Sequence, residues 1–119
     1  MSTSFKVACL QLNSARDPAP NIESLRELAR RAREAGAELI MSPEVSDMIE
    51  PDRAERFRKA RTEAEHPMLA AGRELARELG AHLLLGSIVV RIDETTLANR
   101  SLLSAFLPVQ SLTFWLRAG

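Results

Sequence analysis

An apolar run, an amphipathic segment and a second apolar run follow one another near the start of the chain, and this order constrains the fold most. The first run lies within FKVACLQLN (5–13) and reads as a buried strand. The segment after it has helical spacing, begins near Pro20 or Asn21 and ends at Gly36. Its inner positions are Ile22, Leu25, Leu28, Ala29 and Ala32. The run 37–42 completes a strand-helix-strand unit, which predicts two parallel strands.

A second amphipathic segment repeats this pattern further along the chain. It begins at about Pro67 and ends at Gly80, and between them an apolar stripe recurs at helical spacing. The stripe consists of Leu69, Leu75, Ala76 and Leu79. The stretch 51–65 before it is highly charged, and we expect exposed helix and loop there.

Two further strands are predicted after this helix. HLLLGSIVV (82–90) is an apolar run, residues 93–96 suit a turn, and LANRSLLSAF (97–106) suits a fourth strand. The resulting order is β-α-β-α-β-β. It predicts an α/β fold in which helices cover a mixed sheet.

The charges of the chain are balanced, with 16 basic and 16 acidic residues among 119. This balance gives no electrostatic footprint for nucleic acid or for anionic lipid. No apolar run is long enough to cross a bilayer, and the N-terminus lacks a signal-peptide pattern. We therefore expect a cytoplasmic location. The single cysteine, Cys9, lies in the first apolar run and is predicted to be a core residue.

Several kinds of site are disfavoured by the sequence. His66 and His82 have no second ligand at metal-binding spacing, so no metal site is expected. The loop NSARDPAP (13–20) contains no glycine and does not suit a dinucleotide phosphate. Ser87 lies in LGSIV, which lacks the glycine pattern of a nucleophile elbow, and is interpreted as a strand residue.

The C-terminal part differs in composition from the rest of the chain. Residues 101–119 contain no acidic residue and one basic residue, yet three of the five aromatic residues of the chain. We predict a domain part over 1–103 and an atypical apolar tail over 104–119.

A glutamate at the end of the second strand is the main candidate for chemistry. In LIMSPEVSD (39–47), Pro43 biases Ser42 toward an extended backbone and so aims Glu44 from the strand end. Functional groups gather at the carboxyl ends of strands in α/β sheets, and a partly desolvated carboxylate there could act as a general base. The alternative is a solvated loop glutamate, which is the commoner case on these residues alone.

The order of several stretches resembles the nitrilase superfamily, the carbon-nitrogen hydrolases. The stretches are KVACLQLNS, NIESLRELARRAREAGAELIMSPE, HPMLAAGRELARELGAHLLLGSIVVR and LANRSLL, and together they span about residues 5–103. The resemblance is to the N-terminal half of the family domain, in the amidase branch that includes omega-amidase-like proteins. It implies part of an αββα sandwich, in which two sheets pack face to face.

The resemblance also implies a Glu-Lys-Cys mechanism without metal or organic cofactor. Glu44, in the Pro43-Glu44 motif, would be the general base for a cysteine thiol that attacks an amide or nitrile carbon. The family's lysine and cysteine follow later in the domain. Here Lys6, Lys59 and Cys9 lie in other contexts. We therefore expect the chain alone to be inactive.

An αββα domain reduced to one sheet would leave an apolar face uncovered. Such a face favours association, so a homo-oligomer or pairing through this face is expected. The alternative to an enzyme part is a non-catalytic binding or assembly module that pairs with a homologous subunit. A third interpretation is a small flavodoxin-like domain that binds an anion at its strand ends.

Overall fold

The structure is a computed structural model that describes residues 4–105 and 112–114. Its helices are α1 (Pro18–Glu34), α2 (Arg53–Lys59) and α3 (Pro67–Leu79), with a 3-10 turn at Glu63–Glu65. Its strands are β1 (Lys6–Cys9), β2 (Ala37–Met41), β3 (His82–Arg91), β4 (Leu97–Ser104) and β5 (Leu112–Phe114). The predicted α/β order is confirmed, and the charged stretch 51–65 contains only the short α2 and the 3-10 turn.

One mixed sheet contains the strands in the order β1-β2-β3-β4-β5. The pairs β1/β2 and β2/β3 are parallel, while β3/β4 and β4/β5 are antiparallel. The prediction of two parallel strands in the first strand-helix-strand unit is therefore confirmed. Because β1, β2 and β3 are parallel, the turns that follow β1 and β2 lie at the same edge of the sheet.

Helices α1 and α3 cover one face of this sheet. Both have the predicted apolar stripes, and the core forms where these stripes meet the strands. Fully buried members of the core are Leu25, Leu69, Leu75, Ile40, Leu83, Leu85 and Leu102. The predicted end of α3 is confirmed, since Gly80 follows it with φ 61°. Helix α1 begins at Pro18, two or three residues before the predicted start, because proline suits the first helical position.

The opposite face of the sheet carries apolar side chains that are half-buried or exposed. Cross-strand register aligns Val7 with Leu39, and it aligns Cys9, Met41, Leu84 and Leu103 in one row. We call these six residues the open face. Val7 is 47% exposed, whereas Ile40, one residue along β2 from Leu39, faces the helices and is 1% exposed.

The prediction that Cys9 is a core residue is wrong. Cys9 is exposed, because β1 lies at the edge of the sheet and its register places Cys9 on the open face. The neighbouring Ala8, on the helix side, is the residue of β1 that packs against the core.

The predicted tail over 104–119 falls mostly outside the residues that the structure describes. Only Ser104, residue 105 and the backbone of β5 are described there. The boundary between a domain part and a tail therefore stays a prediction. Within the described part, no helix has the length and apolar character needed to cross a membrane.

Candidate active site

The turn after β2 carries Glu44 at the edge where the parallel strands end. Ser42 N–H donates to Leu84 O at 2.9 Å, so the β2/β3 pairing continues one residue past β2. Pro43 then leads into the turn. The side chain of Glu44 is exposed, whereas the sequence suggested partial desolvation. The reason is local, because the inward positions of the turn are occupied by Ser42 and Ser46, which are buried.

A bulge in β3 brings the backbone of this strand against the turn. The β3/β4 register shifts between Leu85 and Ile88, which frees the intervening backbone from regular pairing. Ser87 O accepts Ser46 N–H at 2.9 Å, and Ser87 N–H lies 3.4 Å from Pro43 O. Ser87 is a strand residue as predicted, and it also anchors the turn that presents the candidate base.

A chain of hydrogen bonds joins Gly86 to the turn. Gly86 N–H donates to Ser42 Oγ at 3.3 Å, and Ser42 Oγ lies 2.7 Å from Ser46 Oγ. The Ser46 hydroxyl donates to Pro43 O, so the hydroxyl of Ser42 must donate to Ser46. A Cβ at position 86 would lie 2.3 Å from Ser42 O and 2.7 Å from Pro43 O. The strand and the turn can therefore approach this closely only with glycine at that position.

The residue after Glu44 has an unusual backbone conformation. Val45 has φ 51°, a region that β-branched residues rarely adopt. Its N–H donates to Ser87 Oγ at 2.7 Å, and its side chain packs against a small buried cluster that contains Met48 and Val89. Conformations of this kind cost about 1–3 kcal/mol, persist only where the surroundings fix them, and cluster at functional sites. The strained backbone supports a functional role for the turn.

A buried Asp47–His66 pair ties the segment after the turn to α3 and β3. Asp47 Oδ1 and Oδ2 accept Val89 N–H at 3.1 and 3.2 Å. His66 Nε2 lies 3.0 Å from Val89 O and 3.2 Å from Asp47 Oδ2, so this nitrogen carries the hydrogen. His66 Nδ1 accepts Leu69 N–H at 3.4 Å and caps α3. Both side chains are at most 3% exposed.

Asn21 extends this network to the loop between β1 and α1. Its Oδ1 accepts Ala15 N–H at 2.7 Å, and its Nδ2 donates to Ala15 O at 2.9 Å and to Asp47 O at 2.7 Å. Asp47 and Asn21 were not predicted as functional residues from the sequence, and His66 had no predicted partner. No periodic pattern marks such residues, although Gly86 inside an apolar strand run was a signal for close backbone approach.

A pocket of about 790 Å³ opens beside Glu44. Its lining comes from residues of α2 and from those just before this helix, and from residues 95–99 at the start of β4. The floor includes Val45, Met48 and Val89. The pocket therefore combines an accessible carboxylate with an apolar floor and polar walls, as small-molecule sites commonly do.

The structure brings neither lysine to this pocket. Lys6 Nζ donates to Ala35 O at 3.2 Å, at the amino ends of the parallel strands and away from the pocket. Lys59 Nζ lies 2.9 Å from Asp17 Oδ1 and 3.4 Å from Glu50 Oε1. The hydrogen bond to Asp17 is the main reason that the pKa of Lys59 lies above its usual value, and Glu50 adds to the effect against the opposing influence of burial.

The side chains that could bind a metal ion are dispersed. Within residues 4–105, no group of three or more histidine, cysteine, aspartate or glutamate side chains is arranged to hold one. Cys9 also lies apart from the lining of the pocket. The expectation that the chain uses no metal or cofactor stays a prediction.

The fold and the site together define an α/β protein whose candidate catalytic carboxylate lies at a strand end beside a pocket, the usual location of sites in α/β enzymes. A sequence profile of carbon-nitrogen hydrolases matches residues 6–105. The chain therefore belongs to the carbon-nitrogen hydrolase family. A search of curated proteins gives no match.

Solved structures of several relatives have a similar fold. An amidase mutant from Nesterenkonia sp. AN1, showing the result of Michael addition of acrylamide at the active site cysteine, is 20% identical with a TM-score of 0.73, covering 87% of this chain and 40% of that chain. The NitFhit protein of C. elegans is 24% identical with a TM-score of 0.76, and the match covers 94% of this chain and 29% of that chain. XC1258 from Xanthomonas campestris is a CN-hydrolase superfamily protein with an arsenic adduct in the active site. It is 26% identical with a TM-score of 0.67, and the match covers 84% of this chain and 36% of that chain.

This chain spans less than half the length of each of these three structures. The prediction of a partial nitrilase-type α/β fold is confirmed. The assignment to an omega-amidase-like branch stays a prediction, and so does the role of Glu44.

Proposed function

We propose that residues 1–103 are the N-terminal part of a carbon-nitrogen hydrolase domain that hydrolyses a small amide to an acid and ammonia, with Glu44 as the general base. The observation that carries the proposal is the position of Glu44, which is exposed at the carboxyl edge of the sheet beside a pocket of about 790 Å³. An omega-amidase-like branch and a cytoplasmic location are further parts of this proposal.

The proposed chemistry assigns one step to this chain. Glu44 would take the proton from a cysteine thiol, and the thiolate would attack the amide carbon to form a thioester. With the proton that Glu44 took from the thiol, the amide nitrogen would leave as ammonia, and water would then release the acid. A lysine would stabilise the charge on the substrate oxygen. Because the structure places neither Cys9 nor a lysine at the pocket, the chain alone should show no turnover.

The hydrogen bonds of the turn suit Glu44 to this role. A general base must be held in position and must remain accessible to the proton that it takes. Ser87 holds the backbone just after Glu44 through two hydrogen bonds. Its Oγ accepts Val45 N–H at 2.7 Å, and its backbone oxygen accepts Ser46 N–H at 2.9 Å. The carboxylate of Glu44 itself projects from this fixed backbone into water.

A chimeric enzyme tests the proposal. Residues 6–105 would replace the corresponding part of a family amidase, which keeps its own lysine and cysteine, and ammonia release from small amides would be measured. We expect a folded and active chimera, in which Glu44→Gln lowers kcat/KM by about a hundredfold or more because the base is lost. Glu38→Gln, on an exposed carboxylate of β2, is the matched control and should have little effect.

Two results would contradict this proposal. A Glu44→Gln chimera that keeps the rate of its parent would exclude a general-base role for Glu44. Amide hydrolysis by the purified chain alone, abolished by the same substitution, would show that the chain needs no further lysine or cysteine.

A second candidate function is a non-catalytic assembly module, and the open face favours it. Val7 is 47% exposed and Met41 and Leu84 are half-buried, although all three are apolar and lie on the same face of the sheet. An apolar sheet face of this kind suits burial against a second protein layer. The proposed partner is a homologous subunit, or a second copy of this chain.

Light scattering after size exclusion tests the assembly of the chain, alone and mixed with a family amidase. We expect a species larger than the monomer, which Val7→Lys should disrupt by placing a charge in the interface. Ile92→Lys is the matched control, since Ile92 is 44% exposed and lies outside the open face. A monomer under all these conditions would count against an assembly role.

A further inference from the structure

The turn that presents Glu44 carries a valine in a backbone conformation that usually requires glycine or asparagine. Glu44 and Val45 occupy the turn, and Val45, the second of the two, has φ 51°. A β-turn with positive φ at its second central position favours glycine or asparagine there, because a Cβ crowds the backbone in this region. Among the described residues, Val45 is the only one other than glycine with a positive φ. The strain of positive φ is thus concentrated beside the candidate base.

One hydrogen bond fixes the peptide group that joins Glu44 to Val45. Its N–H, which belongs to Val45, donates to Ser87 Oγ at 2.7 Å, while the backbone oxygen of Ser87 accepts Ser46 N–H at 2.9 Å. Ser87 is 6% exposed, so water competes weakly for the bond to its hydroxyl. The hydroxyl therefore acts directly on the peptide group whose rotation would return Val45 to a negative φ.

The other restraints on this turn act on neighbouring groups. The chain of hydroxyl hydrogen bonds through Ser42 and Ser46 does not reach the peptide group between Glu44 and Val45. The Val45 side chain packs against the small buried cluster, but an apolar contact has no fixed direction, unlike a hydrogen bond. Strained conformations persist only where their surroundings fix them, so loss of the Ser87 hydroxyl should let Val45 relax.

We propose that Ser87 is a positioning residue for the candidate base. Its hydroxyl holds Val45 in the positive-φ conformation, and this conformation keeps the carboxylate of Glu44 in one place at the edge of the pocket. The inference rests on the proposed function, which makes Glu44 the general base. A base must meet its proton in a defined geometry, and a displacement of about 1 Å can lower a rate by up to about a hundredfold.

Amide hydrogen exchange in the chain itself tests whether the hydroxyl holds the turn. Exchange of Val45 N–H would be followed by NMR in the parent chain and in Ser87→Ala. We expect this exchange to become about tenfold faster or more, because the amide loses its acceptor and the turn opens more often. Ser104→Ala is the matched control, since Ser104 is also buried but its Oγ has no hydrogen-bond partner in the described chain. It should leave the exchange of Val45 N–H unchanged.

The chimeric amidase tests whether the held turn matters for the base. Ser87→Ala should lower kcat/KM for a small amide about tenfold, whereas Ser104→Ala should keep it within about twofold. Ser87→Cys covers the case in which the alanine variant folds poorly, because a thiol is similar in size to the hydroxyl but is a weak acceptor. It should also lower kcat/KM, though by less than Ser87→Ala.

A rescue experiment separates positioning from general support of the fold. Asparagine adopts positive φ more readily than valine, so Val45→Asn should hold the turn without help from Ser87. The Val45→Asn chimera should keep most of its activity, and adding Ser87→Ala to it should change kcat/KM by less than about twofold. A merely structural role of Ser87 predicts instead the same loss of about tenfold in both backgrounds.

Several results would overturn the positioning role. They are unchanged exchange of Val45 N–H in Ser87→Ala, a Ser87→Ala chimera as fast as its parent, and an equal loss in the Val45→Asn background. A chimera inactivated by Val45→Asn alone would also overturn it, because valine itself and not its positive φ would then be required. An active Glu44→Gln chimera would reject the proposed function and this role with it. Loss of activity with Glu44→Gln but not with Ser87→Ala would reject only the positioning role.

Discussion

Gly86→Ala should destabilise the protein by about 3 kcal/mol, the upper range for overpacking a tight contact. The added methyl group would lie 2.3 Å from Ser42 O and 2.7 Å from Pro43 O, and both are backbone atoms that cannot rotate away. Relief requires that the turn separate from β3, which would break the hydrogen bond from Gly86 N–H to Ser42 Oγ. Urea denaturation followed by circular dichroism measures the loss in free energy of unfolding.

Gly72→Ala is the matched control for this substitution. Its Cβ would lie 3.3 Å from Leu83 Cδ2, which is the end of a flexible side chain, and its position is inside α3. Alanine is preferred to glycine in a helix by about 1 kcal/mol, so the control should change stability by no more than that amount. If both variants were equally stable, the turn and β3 would not be in the tight contact that holds Glu44.

The elements of the fold that the sequence predicted are those with strong periodicity. The inner stripe of α3 and its end at Gly80 follow directly from helical spacing and a glycine stop. Burial was harder to predict, as Cys9 shows. An apolar run identifies a strand but not its place in the sheet, so the edge position of β1 and the exposure of Cys9 depend on tertiary contacts.

The candidate site was predictable only in part for a similar reason. Pro43 and Glu44 follow a recognisable strand, and their position at its end could be predicted. The groups that hold them come from distant parts of the chain, since Ser87 lies 42 residues from Val45 along the sequence. The positive φ of Val45 could not be predicted from the sequence either. Valine normally avoids this conformation, and only tertiary hydrogen bonds impose it.

Asp47→Ala should also lower the free energy of unfolding by about 3 kcal/mol, because it leaves the buried Val89 N–H without its acceptor and removes one of the two partners of His66 Nε2. Val89 N–H bonds to both oxygens of Asp47, and His66 Nε2 would keep only Val89 O, at 3.0 Å. Asp47→Asn should cost less than Asp47→Ala, since its carbonyl oxygen can still accept Val89 N–H. It should still cost some stability, because its amide N–H group would face the hydrogen on His66.

Asp93→Ala is the control for this prediction, because Asp93 also accepts a backbone N–H but does so in an exposed turn. Its Oδ1 lies 2.8 Å from Thr95 N, and water can replace this bond when the carboxylate is removed. Thermal unfolding of the two variants should give a large loss of Tm for Asp47→Ala and a small one for Asp93→Ala. Equal losses would mean that the Asp47–His66 pair adds nothing beyond a surface hydrogen bond. Since Asp47 lies three residues after Glu44, a large loss of Tm would identify the Asp47–His66 pair as a structural support of the candidate active site.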